Sequence, residues 1–154
     1  MNSPFITRCI FVLFLSPLFA HTAVAADACA EAEKNRLLVV DFYDRFFNKH
    51  DLSAADQYIG DVYIQHNPLF PDGPEAFTGA FRDIFKKFPN RRNTIIRSAA
   101  NGDMVYLHVH RTMNTGERGD AIVDIYRVQD GKIVEHWDVI QPVPETAKHT
   151  NGMF

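Results

Sequence analysis

Residues 93–142 read NTIIRSAANGDMVYLHVHRTMNTGERGDAIVDIYRVQDGKIVEHWDVIQP, and this run decides the fold. β-Branched and aromatic residues dominate it, and turn residues punctuate it at short intervals. Asn101-Gly102 and Asp130-Gly131 are dipeptides that suit two-residue hairpin turns, whose central positions need positive φ. Gly116 and Gly119 bracket a third turn. The run therefore divides into strands Thr94–Ala99, Met104–Met113, Ala121–Val128 and Lys132–Gln141, closed by Pro142. Strands joined by such short turns lie side by side and antiparallel.

Upstream the period changes. From Glu31 to Phe47, Leu38, Phe42 and Phe46 recur at i, i+4 and i+8, with Val39 and Tyr43 alongside, which predicts a helix. Asn48-Lys49-His50-Asp51 breaks it, and Asp51 is placed to cap a short helix, Leu52–Tyr58. Val62–His66 reads as a strand. A loop runs from Asn67-Pro68 to Pro74. A third helix is then expected, capped by Asp72 with Pro74 in its first turn. It carries Phe77, Phe81, Ile84, Phe85 and Phe88 and stops at Pro89. Helices first and an antiparallel meander afterwards predict an α+β fold with helices covering one sheet face. The chain has 154 residues, which suits one domain, and its 13 Phe can bury a large apolar area.

Residues 1–26 have a different character. Arg8 is the lone charge before Asp27, an apolar run extends from Cys9 to Phe19, and Ala23-Val24-Ala25-Ala26 supplies small residues at a junction. This is the pattern of a secretory signal peptide, too short to span a bilayer permanently. The expectation is a signal peptide over 1–26, a domain over 27–154, and a periplasmic or secreted product with no membrane contact after cleavage. Cys29 is then alone and cannot form an internal disulfide. Basic residues are scattered apart from Lys86-Lys87 and Arg91-Arg92, so no nucleic-acid stripe is present.

Alternate strand residues face the same side. Met104, Tyr106, His108 and His110 share one face of their strand. Ile122, Asp124 and Tyr126 share a face of the next, and Val134, His136, Asp138 and Ile140 share a face of the last. The register between strands decides whether these sets meet. If they do, three imidazoles and two carboxylates gather among tyrosines and aliphatics, with His66 and Asn67 close by. Buried carboxylates need partners. Burial raises an Asp pKa and a neighbouring imidazolium lowers it, which is how an acid or base is set near working pH. Histidines with a carboxylate also suit a transition ion, and His108 and His110 at i, i+2 could face one. No compact metal spacing such as HExxH or paired CxxC is present, so neither metal nor cofactor is expected. His50 and His149 read as loop and tail residues.

The stretches Tyr63-Ile64-Gln65-His66-Asn67-Pro68, Asn101-Gly102-Asp103-Met104-Val105 and Val123-Asp124-Ile125-Tyr126-Arg127 carry a resemblance. So does Gly131 to Pro142, with its EHWDVIQP ending, the most specific of the four. Together they resemble the SnoaL-like polyketide cyclase family of the nuclear transport factor 2-like superfamily. The resemblance implies a cone-shaped barrel, with three helices packed in the concave face of a curved, mostly antiparallel mixed sheet. It implies a homodimer through the outer sheet face, here Val105, Leu107, Val123, Ile125 and Trp137. It also implies aldol chemistry without metal or cofactor on a small hydrophobic carbonyl compound. Asp124 matches the family's base and His110 its supporting histidine. His136 and Asp138 would complete the acid/base set, and His66, His108, Tyr106, Tyr126 and Asn67 would contact the ligand. Two other readings remain open: an exported binding protein without catalysis, and a dehydratase or hydrolase in which a His–Asp pair, with or without a metal, activates water.

Overall fold

The computed structural model describes residues 19–154, with side chains from Ala26 onward. Residues 1–18 of the expected export signal lie outside the described residues, and 19–26 belong to the first helix. Helix α1 spans Phe19–Tyr43 and continues into a π-helical turn, Asp44–Asn48. Helix α2 is Ser53–Tyr58, strand β1 is Ile59–Gln65 and helix α3 is Pro74–Lys87. Strands β2 (Arg92–Asn101), β3 (Met104–Thr112), β4 (Asp120–Gln129) and β5 (Lys132–Pro142) follow. Among the described residues no helix is long and apolar enough to cross a membrane.

The five strands form one sheet in the order β1-β5-β4-β3-β2. The meander is antiparallel throughout, and β1 joins β5 in parallel. A parallel neighbour needs a long crossover, and α3 with the meander supplies it. The sheet is not closed. β1 and β2 are its two edges, so the barrel implied by the resemblance is an open cone whose concave side the helices fill. Two bulges bend it. Ile96 has no partner between Ile95↔Val109 and Arg97↔His108. Val134 has none between Arg127↔Glu135 and Val128↔Ile133. Such insertions sharpen strand twist and re-aim the side chains beyond them.

Helix α1 buries Val39, Phe42 and Tyr43, and the π turn buries Phe46 and Phe47 together. An ordinary helix turns neighbouring side chains ~100° apart. The wider turn lets both phenylalanines reach the core. Helix α3 answers with Phe77, Phe81 and Phe85 at i, i+4 and i+8. Phe46 is the hub, stacked on Phe77 at 5.0 Å and edge-on to Phe81 and Phe85 at 5.3 and 5.6 Å. Each such pair adds about 0.5–1.5 kcal/mol beyond area burial. Pro74 opens α3 as expected, but Gly73 rather than Asp72 stands at its cap. Asp72 instead accepts the Gln65 backbone N–H at 2.7 Å.

Candidate active site

Between the sheet and α3 lies a cavity of about 170 Å³. Phe47, Phe70, Phe77, Phe81 and Ile84 form its apolar wall, while Asp124, His136 and Asp138 face it from the sheet. A dry cavity of about 150 Å³ accommodates benzene, so this one suits a ligand with a single ring.

The pairings Asp124↔Asp138 and Tyr126↔His136 across β4 and β5 bring the polar groups together. Asp124 and His136 are buried, 6% and 7% exposed. His136 Nε2 lies 3.0 Å from Asp124 Oδ1. On the other side of the ring, His136 Nδ1 is 2.9 Å from Gln65 Oε1. The same Gln65 oxygen accepts the Asn67 backbone N–H at 2.9 Å, which fixes the amide's orientation. Nδ1 therefore carries a hydrogen and donates to Gln65. Two lone pairs do not face each other at 3.0 Å, so one further proton bridges His136 Nε2 and Asp124 Oδ1.

The second Asp124 oxygen accepts the Tyr43 hydroxyl at 2.6 Å. Tyr43 in turn accepts from Asn93 Nδ2 at 2.7 Å. Burial, and then the nearby Asp124 charge, push Tyr43 well above its ordinary range, so it stays a donor. Asp138 Oδ2 accepts Asn67 Nδ2 at 2.7 Å.

Two further polar groups in the lining are unpaired among the described residues. Arg91 Nη1 and Asn93 Oδ1 are buried without a hydrogen-bond partner. The Arg91 guanidinium lies over Phe47 at 5.0 Å and Phe81 at 5.5 Å, and burial pushes it down to about 10. Arg111, also in the lining, is tied to Asp120 at 2.8 Å.

Asp124, His136 and Asp138 offer atoms within 4.8 Å of one another, close enough for an ion. Yet both imidazole nitrogens and both Asp124 oxygens already have partners. A metal would have to break the Asp124–His136 bond, so the donor set fits proton transfer better than coordination.

Of the residues expected at the site, Asp124, His136, Asp138 and Asn67 meet in the cavity wall. Tyr126 lies beneath it, 1% exposed, its ring 4.7 Å from His136. The others do not meet it. Leu107 pairs with Asp124 and Val109 with Ile122, so the odd residues of β3 share the concave face and the even ones point outward. His110 consequently donates to Arg118 O at 2.7 Å and packs on Phe154. His108 accepts from Arg97 at 2.9 Å, and Tyr106 is exposed. His66 also faces outward, stacked on Trp137 at 4.5 Å and donating to Glu135 at 2.8 Å. The same register corrects the proposed outer face: Val105 and Leu107 are 0% exposed in the core, whereas Val123, Ile125 and Trp137 do lie outside.

Sequence reasoning missed Tyr43, Gln65, Arg91, Asn93 and Arg111 as site residues. Tyr43 left one signal, a hydroxyl within an otherwise apolar helical stripe. Gln65 and Asn93 reach the site through strand geometry that composition does not reveal.

Solved structures share this architecture. A SnoaL-like protein of unknown function from Burkholderia thailandensis E264 aligns with a TM-score of 0.63 and 16% identity, over 72% of this chain and 98% of that one. A nuclear transport factor 2-like protein of unknown function from Mesorhizobium loti gives 0.60 and 24%, over 72% and 93%. A Kribbella flavida DSM 17836 protein provisionally called a ketosteroid isomerase gives 0.61 and 17%, over 79% and 86%. At these identities the likeness is one of fold. No curated protein sequence matches the chain significantly. The SnoaL-like domain profile matches residues 39–136, from the buried face of α1 to the site histidine on β5. With the open cone and its polar pocket, that match establishes that the chain belongs to the SnoaL-like domain family.

Proposed function

We propose that this chain is a cofactor-independent enzyme that removes a proton next to a carbonyl of a small, largely apolar ligand. The observation that carries the reading is the buried Asp124–His136 contact at 3.0 Å, with the opposite imidazole nitrogen committed to Gln65. One proton between the two groups lets His136 hold it as imidazolium while Asp124 stays ionised. A carboxylate has about four acceptor sites, and His136 and Tyr43 occupy two, so Asp124 can still take a proton. The C–H electron pair moves onto the ligand carbonyl as an enolate, and the neighbouring imidazolium offsets that charge. The enolate either attacks a second carbonyl, as in aldol ring closure, and the resulting alkoxide takes the proton back from Asp124, or it recovers that proton at another carbon, as in isomerisation. The aromatic wall limits water, which strengthens every charge interaction inside.

Purified protein tested on an aldol, retro-aldol and isomerisation panel is the experiment. Asp124→Asn and His136→Gln should each lower turnover about 10²- to 10⁴-fold. Undiminished turnover in Asp124→Asn removes Asp124 from the mechanism. A second reading rests on Asp138, whose Oδ1 has no hydrogen-bond partner among the described residues while Asn67 braces Oδ2. That oxygen could orient a water for hydrolysis or dehydration, and Asp138→Asn losing activity while Asp124→Asn keeps it would favour this alternative. The apolar run Cys9–Phe19 and its small-residue junction support export of the domain.

A further inference from the structure

We propose that Arg91 is an anion anchor in this cavity, so that the ligand is a small carboxylate carried on an apolar, ring-sized body. The inference rests on the pocket reading above and names its substrate class.

Arg91 is 5% exposed, and its Nη1 has no acceptor among the described residues. Packing over Phe47 and Phe81 satisfies the flat face of the guanidinium but none of its edge N–H groups. A buried charge without a hydrogen-bonding partner is costly, and proteins retain one where something else completes it. The other charges in the lining cancel locally. Asp124 is balanced by the proton it shares with His136, and Arg111 by Asp120 at 2.8 Å. Arg91 and Asp138 remain, one of each sign, so the pocket is bipolar. A ligand carboxylate is drawn to Arg91 and kept from Asp138, which turns the reacting end of the molecule toward Asp124. The planar guanidinium edge matches a carboxylate's two oxygens. Asn93 Oδ1, also buried and unpaired, can accept a hydroxyl of the same ligand. Its orientation is fixed by proton count: Tyr43 spends its hydrogen on Asp124, so Asn93 must present Nδ2 to Tyr43 and Oδ1 elsewhere.

The test is calorimetric binding of benzoate and of acetophenone, neutral and nearly the same shape, to the full folded domain. Wild-type protein should bind benzoate about ten- to a hundredfold more tightly, the usual worth of a charge-assisted hydrogen bond. Arg91→Gln should erase that preference and Arg91→Lys keep part of it, with circular dichroism confirming the fold of each. Asp124→Asn should retain the preference, so loss of the catalytic reading and loss of this one are separate outcomes. Equal binding of the two ligands by wild type, which needs no variant to fold, overturns the proposal. So does an undiminished benzoate preference in Arg91→Gln.

Discussion

Tyr43 and Asp124 are 81 positions apart in sequence, yet the phenol donates to the carboxylate at 2.6 Å in a fully buried bond. This bond ties the end of α1 to the middle of β4. Tyr43→Phe removes it, leaving Asn93 Nδ2 and one Asp124 lone pair unsatisfied. The variant should lose about 1–3 kcal/mol of stability, read from denaturant midpoints. Its turnover should also fall, because Asp124 loses one of the two donors that hold it in place.

His110→Ala and His108→Ala should leave turnover unchanged. Both rings lie on the outer face against Phe154, and His110 bonds the Arg118 carbonyl. Steady-state kinetics on either variant, beside His136→Gln, checks the register directly. A loss at His110 as large as at His136 would contradict it.

Gly119→Ala should destabilise the chain by about 1–3 kcal/mol. Gly119 has φ +71°, and a Cβ there would collide with the Arg111 carbonyl. The residue closes the β3–β4 turn beside Arg111, so thermal melts should shift while the fold is retained.

Alkaline pH should unfold the protein before its buried phenols ionise. Burial first, and then the Asp124 charge, raise Tyr43, Tyr63 and Tyr126. The unfolded chain releases those protons near about pH 10, whereas the folded chain keeps them. The folded state then binds more protons, so stability falls as pH rises past about 10. Arg91 works in the opposite sense, since burial brings it down to about 10 while the unfolded side chain keeps its proton to higher pH. Tyr58, raised by its hydrogen bond to Asp41, acts with the three phenols, so the net slope is downward. Phenolate absorbance from these tyrosines should appear together with loss of the far-ultraviolet dichroism, not before it.

Much of the scaffold was legible because its signals are local. Asp130-Gly131 marked a hairpin turn that the pairing Gln129↔Lys132 bears out, while the hairpin marked by Asn101-Gly102 forms one residue later, on Gly102-Asp103, because Asn101 pairs with Met104. The Phe42 and Phe46 spacing marked the helix. The site was legible only in part, since alternation within a strand says which residues share a face but not which face. Asp124, His136 and Asp138 lie on neighbouring strands, but a count from the Asp130-Gly131 turn would set Asp124 opposite Trp137, and the bulge at Val134 is what sets it opposite Asp138. The longer turn from Met113 to Gly119 hides the offset that pairs Leu107 with Asp124, and so sends His108 and His110 outward. The unpaired Val134 is equally silent in sequence, though it lets both Ile133 and His136 turn inward. Tyr43, Asn93 and Arg91 act through contacts formed only when the cone is assembled.

The π turn at Asp44–Asn48 holds one residue more than an ordinary helical turn would need. Deleting a single residue there would restore an ordinary turn and keep the helix before it, with Tyr43, in phase. Phe46 and Phe47 would then no longer both reach the core, while the strand pairings that seat Asp124, His136 and Asp138 would be untouched. The spare residue thus serves the aromatic packing, and the donor on the carboxylate does not depend on it.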